Sequence, residues 1–133
     1  MQRVRQSFRD FNGKSFEVRK LVAKNSYNSL CTHFDSYDVL DLLCVICGAN
    51  GGVSEIDYKL MIELTHDRGS KAMFVSLVNS MYTPYTIQRV CKKFSRDLDS
   101  KNWACLLVFA FASLKGYLSS DDEVMLEYIY GLR

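Results

Sequence analysis

Residues 39–64 read VLDLLCVICGANGGVSEIDYKLMIEL, and this stretch decides the fold. Residues 39–49 are apolar on nearly every side, which predicts a helix buried at the centre of the molecule. Asn50-Gly51-Gly52 ends it, because glycine takes positive φ without a Cβ clash. Ser54 followed by Asp57 is a close relative of the capping box. It opens a second helix that carries Leu60, Met61 and Leu64.

The unit returns 65 residues later. That offset takes Gly51 to Gly116, Val53 to Leu118, Ser54 to Ser119, Asp57 to Asp122, Leu60 to Met125 and Leu64 to Ile129. Both cap positions fall in register. The pattern predicts two helical hairpins whose first helices pack at the centre. With no third copy it does not describe a solenoid.

The rest of the chain reads as further helices around these two. In residues 1–13, Val4, Phe8 and Phe11 recur at helical spacing among arginines and leave a choice between a basic arm and a short helix, ended by Asn12-Gly13. Residues 14–133 then form one domain. From Ser15 an amphipathic helix carries Phe16, Ala23, Tyr27, Leu30 and Phe34 on its apolar face. Asp35 or Ser36 caps the central helix. Asp67-Arg68-Gly69-Ser70 is a turn, after which Met73, Phe74, Leu77, Val78 and Met81 line one face.

Thr83-Pro84 reads as a cap followed by proline at the first helical position. The helix it opens has Ile87, Val90, Cys91, Phe94 and Leu98 on one side and Arg89, Lys92, Lys93 and Arg96 on the other. Residues 97–100 break it. Residues 102–114, with the single tryptophan Trp103, are again apolar nearly all round, and the last helix buries Val124, Met125, Tyr128 and Ile129. No stretch alternates with period two. The expected architecture is all-α, a compact bundle of about seven helices with two pseudo-repeated helix–Gly turn–helix units.

Composition bounds the function. A chain of 133 residues with one proline fits one domain with a substantial core. The net charge of +2 is unevenly spread, since residues 1–24 carry +5 and the remainder −3. The longest apolar run, residues 103–112, is too short for a membrane-spanning helix. The N-terminus lacks the apolar core of a secretory signal. Five cysteines cannot all pair within one chain, so reduced thiols in the cytoplasm are expected.

ICGANGGVSEIDYKLMIEL and FASLKGYLSSDDEVMLEYI resemble the TerB-like family, named for a tellurite-resistance protein. Its members carry two copies of a pattern close to Ala-Asp-Gly-x-Ile-Ser-x-x-Glu, each at a helix–turn–helix junction. Ala49-Asn50-Gly51-Gly52-Val53-Ser54 matches the first copy and Leu114-Lys115-Gly116-Tyr117-Leu118-Ser119 the second. The resemblance spans about residues 36–131. It implies a compact all-α bundle and a role in stress response, membrane-proximal complexes or defence. For some members it also implies divalent metal held by acids near the two motifs. The chain departs from the pattern there, with Asn50 and Lys115 at the motif aspartates and Asp57 and Asp122 in place of glutamate.

Several residue sets are candidates for chemistry. Asp38, Asp41, Asp57, Asp121 and Asp122 could hold a divalent cation, although acids in first helical turns are expected for the helix dipole alone. Cys44-x-x-Cys47 could be a redox pair or half of a zinc site that Cys31 and His33 would complete if the first two helices brought them close, but a lone pair inside an apolar helix reads as core. Arg89, Lys92, Lys93 and Arg96 form a basic face that could dock on an anionic surface. The N-terminal arginines, with Phe8 and Phe11 between them, would favour membrane. The modest surplus and lack of a reading motif argue against nucleic acid. Glu63, His66 and Asp67 are a polar trio within one turn, without a nucleophile–base pair. The expectation is therefore a non-enzymatic interaction module with a protein partner and no cofactor. A metal-binding protein and a basic docking surface are the alternatives.

Overall fold

Seven of the eight helices in the computed structural model begin behind a side chain that caps them; the structure describes residues 1–66 and 69–133. α1 (Gln2–Asn12) is the exception and starts at Met1 without a side-chain cap. Ser15 opens α2 (Phe16–His33), accepting from the Val18 N–H, and Asp35 opens α3 (Ser36–Ala49), accepting from the Tyr37 N–H. Ser54 opens α4 (Glu55–Thr65) and Ser70 opens α5 (Lys71–Met81). Thr83, with Pro84 at the first position, opens α6 (Pro84–Lys93). Asp97 opens α7 (Leu98–Lys115) and Ser119 opens α8 (Ser120–Ile129). A short oxygen at the cap satisfies first-turn N–H groups that have no intrahelical acceptor. No strand occurs among the described residues.

The two apolar helices lie at the centre. α3 buries residues on all its sides, from Val39 through Ala49, and α7 does the same from Ala104 to Ser113. α2 packs most extensively on α7, α5 and α6 flank α3, and α8 lies against α6 and α7. Helix α5 touches α3 with no side chain on one residue of that helix, Gly48. A Cβ built there would stand 2.8 Å from Tyr82 Cβ and closer still to its ring.

The helix count differs from the expectation because residues 2–12 form a helix of their own. Phe8 and Phe11 are only 5 % and 4 % exposed. Both rings meet Phe109 of α7, at centroid distances of 5.4 and 5.8 Å. Arg5 clasps Glu123 of α8 with two hydrogen bonds of 2.7 and 3.0 Å. Burying two phenylalanines contributes on the order of 1.5–3 kcal/mol each, which fixes α1 to the body and removes both rings from any membrane contact.

Other boundaries shift for similar reasons. α6 ends at Lys93, so Leu98 begins α7 and is exposed. Asp97, expected as a break, is the cap that starts α7 four residues earlier than the sequence suggested. In α5 only Phe74 and Val78 are buried, whereas Met73 is 66 % exposed, because this edge helix turns a narrow stripe inward. Phe16 and Leu21, assigned or adjacent to the buried face of α2, are exposed. Three and four residues beyond Phe16 stand Arg19 and Lys20 instead of apolar partners. The expected turn at Asp67-Arg68 lies outside the described residues.

Candidate functional site

Each helix–turn–helix junction closes with a reciprocal capping box. In the first, Asp57 Oδ2 accepts from the Ser54 N–H (3.0 Å) and hydroxyl (2.8 Å), and the Asp57 N–H donates to Ser54 Oγ (3.2 Å). In the second, Asp122 Oδ2 accepts from the Ser119 N–H (2.9 Å) and the Asp122 N–H donates to Ser119 Oγ (3.1 Å). The turns differ: Gly51 and Gly52 both take positive φ, whereas Gly116 does so alone. Asp57 and Asp122 are the only buried acids among the described residues. In each capping box one carboxylate oxygen, Oδ2, takes the hydrogen bonds, and the buried Asp122 Oδ1 has no partner.

The two junctions adjoin across one hollow of about 320 Å³, lined by residues 50–54, 56 and 57 of the first and by Leu114 and Lys115 beyond Phe111. What the second junction brings to this space is an ammonium. Lys115 Nζ donates to Asp122 Oδ2 at 2.7 Å, so the cation that balances Asp122 is supplied by the chain. Asn50, at the first turn, directs its amide N–H back to the Ile46 carbonyl (2.8 Å).

The remaining candidate acids, Asp38, Asp41 and Asp121, do not line this hollow. Asp38 accepts from Lys93 Nζ at 2.8 Å. Burial raises the pKa of the neighbouring Asp41, against the pull of Lys93 and Arg89. Burial, helped by the nearby Asp121 carboxylate, pushes the Tyr82 phenol up to about 12. Among the described residues no three His, Cys, Asp or Glu side chains form a group that could hold a metal ion.

The basic face of α6 is tied to the body in the same way. Lys93 is held by Asp38, and Arg96 lies 4.3 Å from the Phe34 ring centroid while bonding Asp97 (3.3 Å). Lys92 lies over Tyr128 at 5.8 Å, and Arg89 acts on Asp41. Asp38 and Asp41 are thus brought beside Lys93 and Arg89, a relation that sequence spacing could not reveal.

Cys44 and Cys47 are wholly buried. Burial pushes the Cys44, Cys91 and Cys105 thiols up to about 12 and Cys47 well above its ordinary value. These thiols are protonated and therefore poor nucleophiles. Cys47 Sγ packs 3.5 Å from Met61 Sδ. His33 stacks on Trp103 with ring centroids 5.1 Å apart, and His66 ends α4 in the left-handed region at φ 56°. Asp67, the third member of the polar trio, lies outside the described residues.

The feature that sequence reasoning missed is a groove. The hollow at the junctions shares Ile56 with a second of about 390 Å³ lined by Phe16, Lys20, Glu55, Lys59, Leu60 and Glu63. A narrow gap of about 10 Å³ bordered by Arg19, Ser113 and Leu114 lies between them. Together they make a track between α4 on one side and α2 and α7 on the other. Phe16 and Ile56, 41 % and 46 % exposed, stand on its rim. The available sequence signal was Phe16 at the first position of α2 with basic residues at its helical neighbours.

No family model, no curated protein and no solved structure matches the chain.

Proposed function

We propose that this chain is a non-enzymatic helical protein-interaction module of the TerB-like kind, acting in the cytoplasm within a stress-response or membrane-associated complex. Its two junctions are read as copies of one unit. That reading is supported by the in-register capping boxes at Ser54–Asp57 and Ser119–Asp122. The observation that carries the interaction reading is the groove with Phe16 and Ile56 exposed along it. Exposed apolar side chains at a concave site are what a partner buries on docking.

A non-enzymatic role is supported by the state of the reactive groups. The buried thiols are protonated, and His33 is engaged with an aromatic ring. A divalent-metal role has less support, since Lys115 already supplies the cation that pairs with Asp122. Docking on an anionic surface through α6 is weakened by the acids and rings that already hold Lys93 and Arg96.

The test is photo-crosslinking in cells from a reactive amino acid placed at position 16 or 56, with exposed position 98 as the control. A discrete adduct from 16 and 56 alone supports the reading. Adducts absent from the groove positions, or equal at position 98, overturn it.

A further inference from the structure

Charge around the groove identifies what fits it. The carboxylates along the track are each engaged: Glu55 faces Lys71 at 3.6 Å, Glu63 faces Lys20 at 3.5 Å and Lys24 at 3.9 Å, and Asp57 is closed in its capping box. The cations are left in surplus. Among the described residues neither Arg19 nor Lys59 has a carboxylate within 4.0 Å. Arg19 donates only to the Ser113 carbonyl, at 3.3 Å, and its buried Nε has no acceptor.

The apolar anchors sit inside this positive field. The Phe16 ring has the Arg19 guanidinium 5.8 Å and the Lys20 ammonium 5.6 Å from its centroid. Ile56 is in the first turn of α4, whose positive dipole end opens on the track. A side chain packed on Phe16 or Ile56 therefore brings its sequence neighbours against cations or helix N–H groups.

We infer that the groove receives an acidic, amphipathic peptide segment of a partner protein, with apolar residues seated on Phe16 and Ile56 and carboxylates directed to Arg19 and Lys59. This rests on the interaction reading above and adds the chemistry of the partner. A concave track between helices fits a single chain segment better than a flat lipid surface. The local surplus of two unmatched cations is small for a nucleic-acid backbone.

The test pans a phage-displayed random dodecapeptide library on the full chain, then measures the selected peptides by fluorescence anisotropy. Wild type, Ile56→Asp and the exposed-site variant Lys59→Glu are compared, with circular dichroism to establish that both variants fold. The expected peptides pair Asp or Glu with apolar residues, lose binding to Ile56→Asp, and weaken ~tenfold or more on Lys59→Glu. Anionic phosphatidylserine vesicles and a single-stranded RNA oligonucleotide serve as the other arms. Peptides that need Ile56 but ignore Lys59→Glu leave the interaction reading standing and overturn the acidic partner. Preferential, Lys59-dependent retention on vesicles or RNA overturns it in favour of that surface. If no probe of any class depends on Ile56, both readings fall.

Discussion

The Lys115 ammonium stands 2.7 Å from Asp122 Oδ2, and Asp122 is 0 % exposed. Lys115, the last residue of α7, is thus the internal counter-ion of the second junction. Removing one partner of a buried pair leaves an uncompensated charge and costs ~3–5 kcal/mol. Because about a fifth of the Lys115 side chain reaches solvent, Lys115→Met should fall at the lower end, ~3 kcal/mol. Adding Asp122→Asn should recover part of that, since an amide oxygen still accepts from Ser119. Urea unfolding of the four proteins of the cycle measures it. Additivity of the two substitutions within ~0.5 kcal/mol would show that the pair is not coupled.

Phe8 and Phe11 tie the N-terminal helix to Phe109. Truncating either leaves a cavity that α7, itself packed on all sides, cannot close. Phe8→Ala should therefore destabilise by ~3–5 kcal/mol. Arg5→Ala should cost far less, because the Arg5–Glu123 clasp is at the surface. Thermal denaturation separates these outcomes. Equal effects from the two substitutions would contradict the account of α1 as held mainly by its aromatic rings.

Gly48 is where the ring of Tyr82 lies against α3. Gly48→Ala would raise helix propensity on an exposed helix, but here the new methyl meets the ring stem, which has no flexible end to swing away. A loss of ~1–3 kcal/mol is expected from overpacking. Tyr82→Ala, introduced with it, should return most of the loss. A stabilised Gly48→Ala protein in chemical denaturation would exclude the close approach.

What the sequence made legible follows from distance along the chain. Ser54 with Asp57, Ser119 with Asp122, and the glycine turns are local devices, and spacing alone identifies them. The central position of α3 and α7 was legible because each is apolar all round. The links that place the candidate site are long-range: Lys93 to Asp38 spans 55 residues and Arg5 to Glu123 spans 118. No periodicity reports on them. Phe16 was misread for another reason. A seven-residue step to Ala23 matches a helical face, yet Phe16 stands 41 % exposed on the rim of a hollow between α2 and α4. Propensity and pattern carry no information about where a neighbour leaves a hollow.

Asp41 lies one turn along α3 from Asp38, and that order decides its titration. Lys93 already serves Asp38 at 2.8 Å, so burial dominates at Asp41 and raises its pKa above the ordinary aspartate value of 3.8, with Lys93 and Arg89 opposing and Asp38 adding. A carboxyl with a raised folded-state pKa binds its proton more tightly when folded. Its contribution to stability is therefore lost as pH rises from the unfolded value through the folded one. Asp41→Asn removes that penalty and should raise the melting temperature at about pH 7. The gain should shrink through the window just above 3.8 and vanish near pH ~3, where both states of the parent carry the proton. Differential scanning calorimetry across this range tests the sign. A melting temperature lowered by Asp41→Asn at neutral pH would show that Lys93 and Arg89 together outweigh burial at this position.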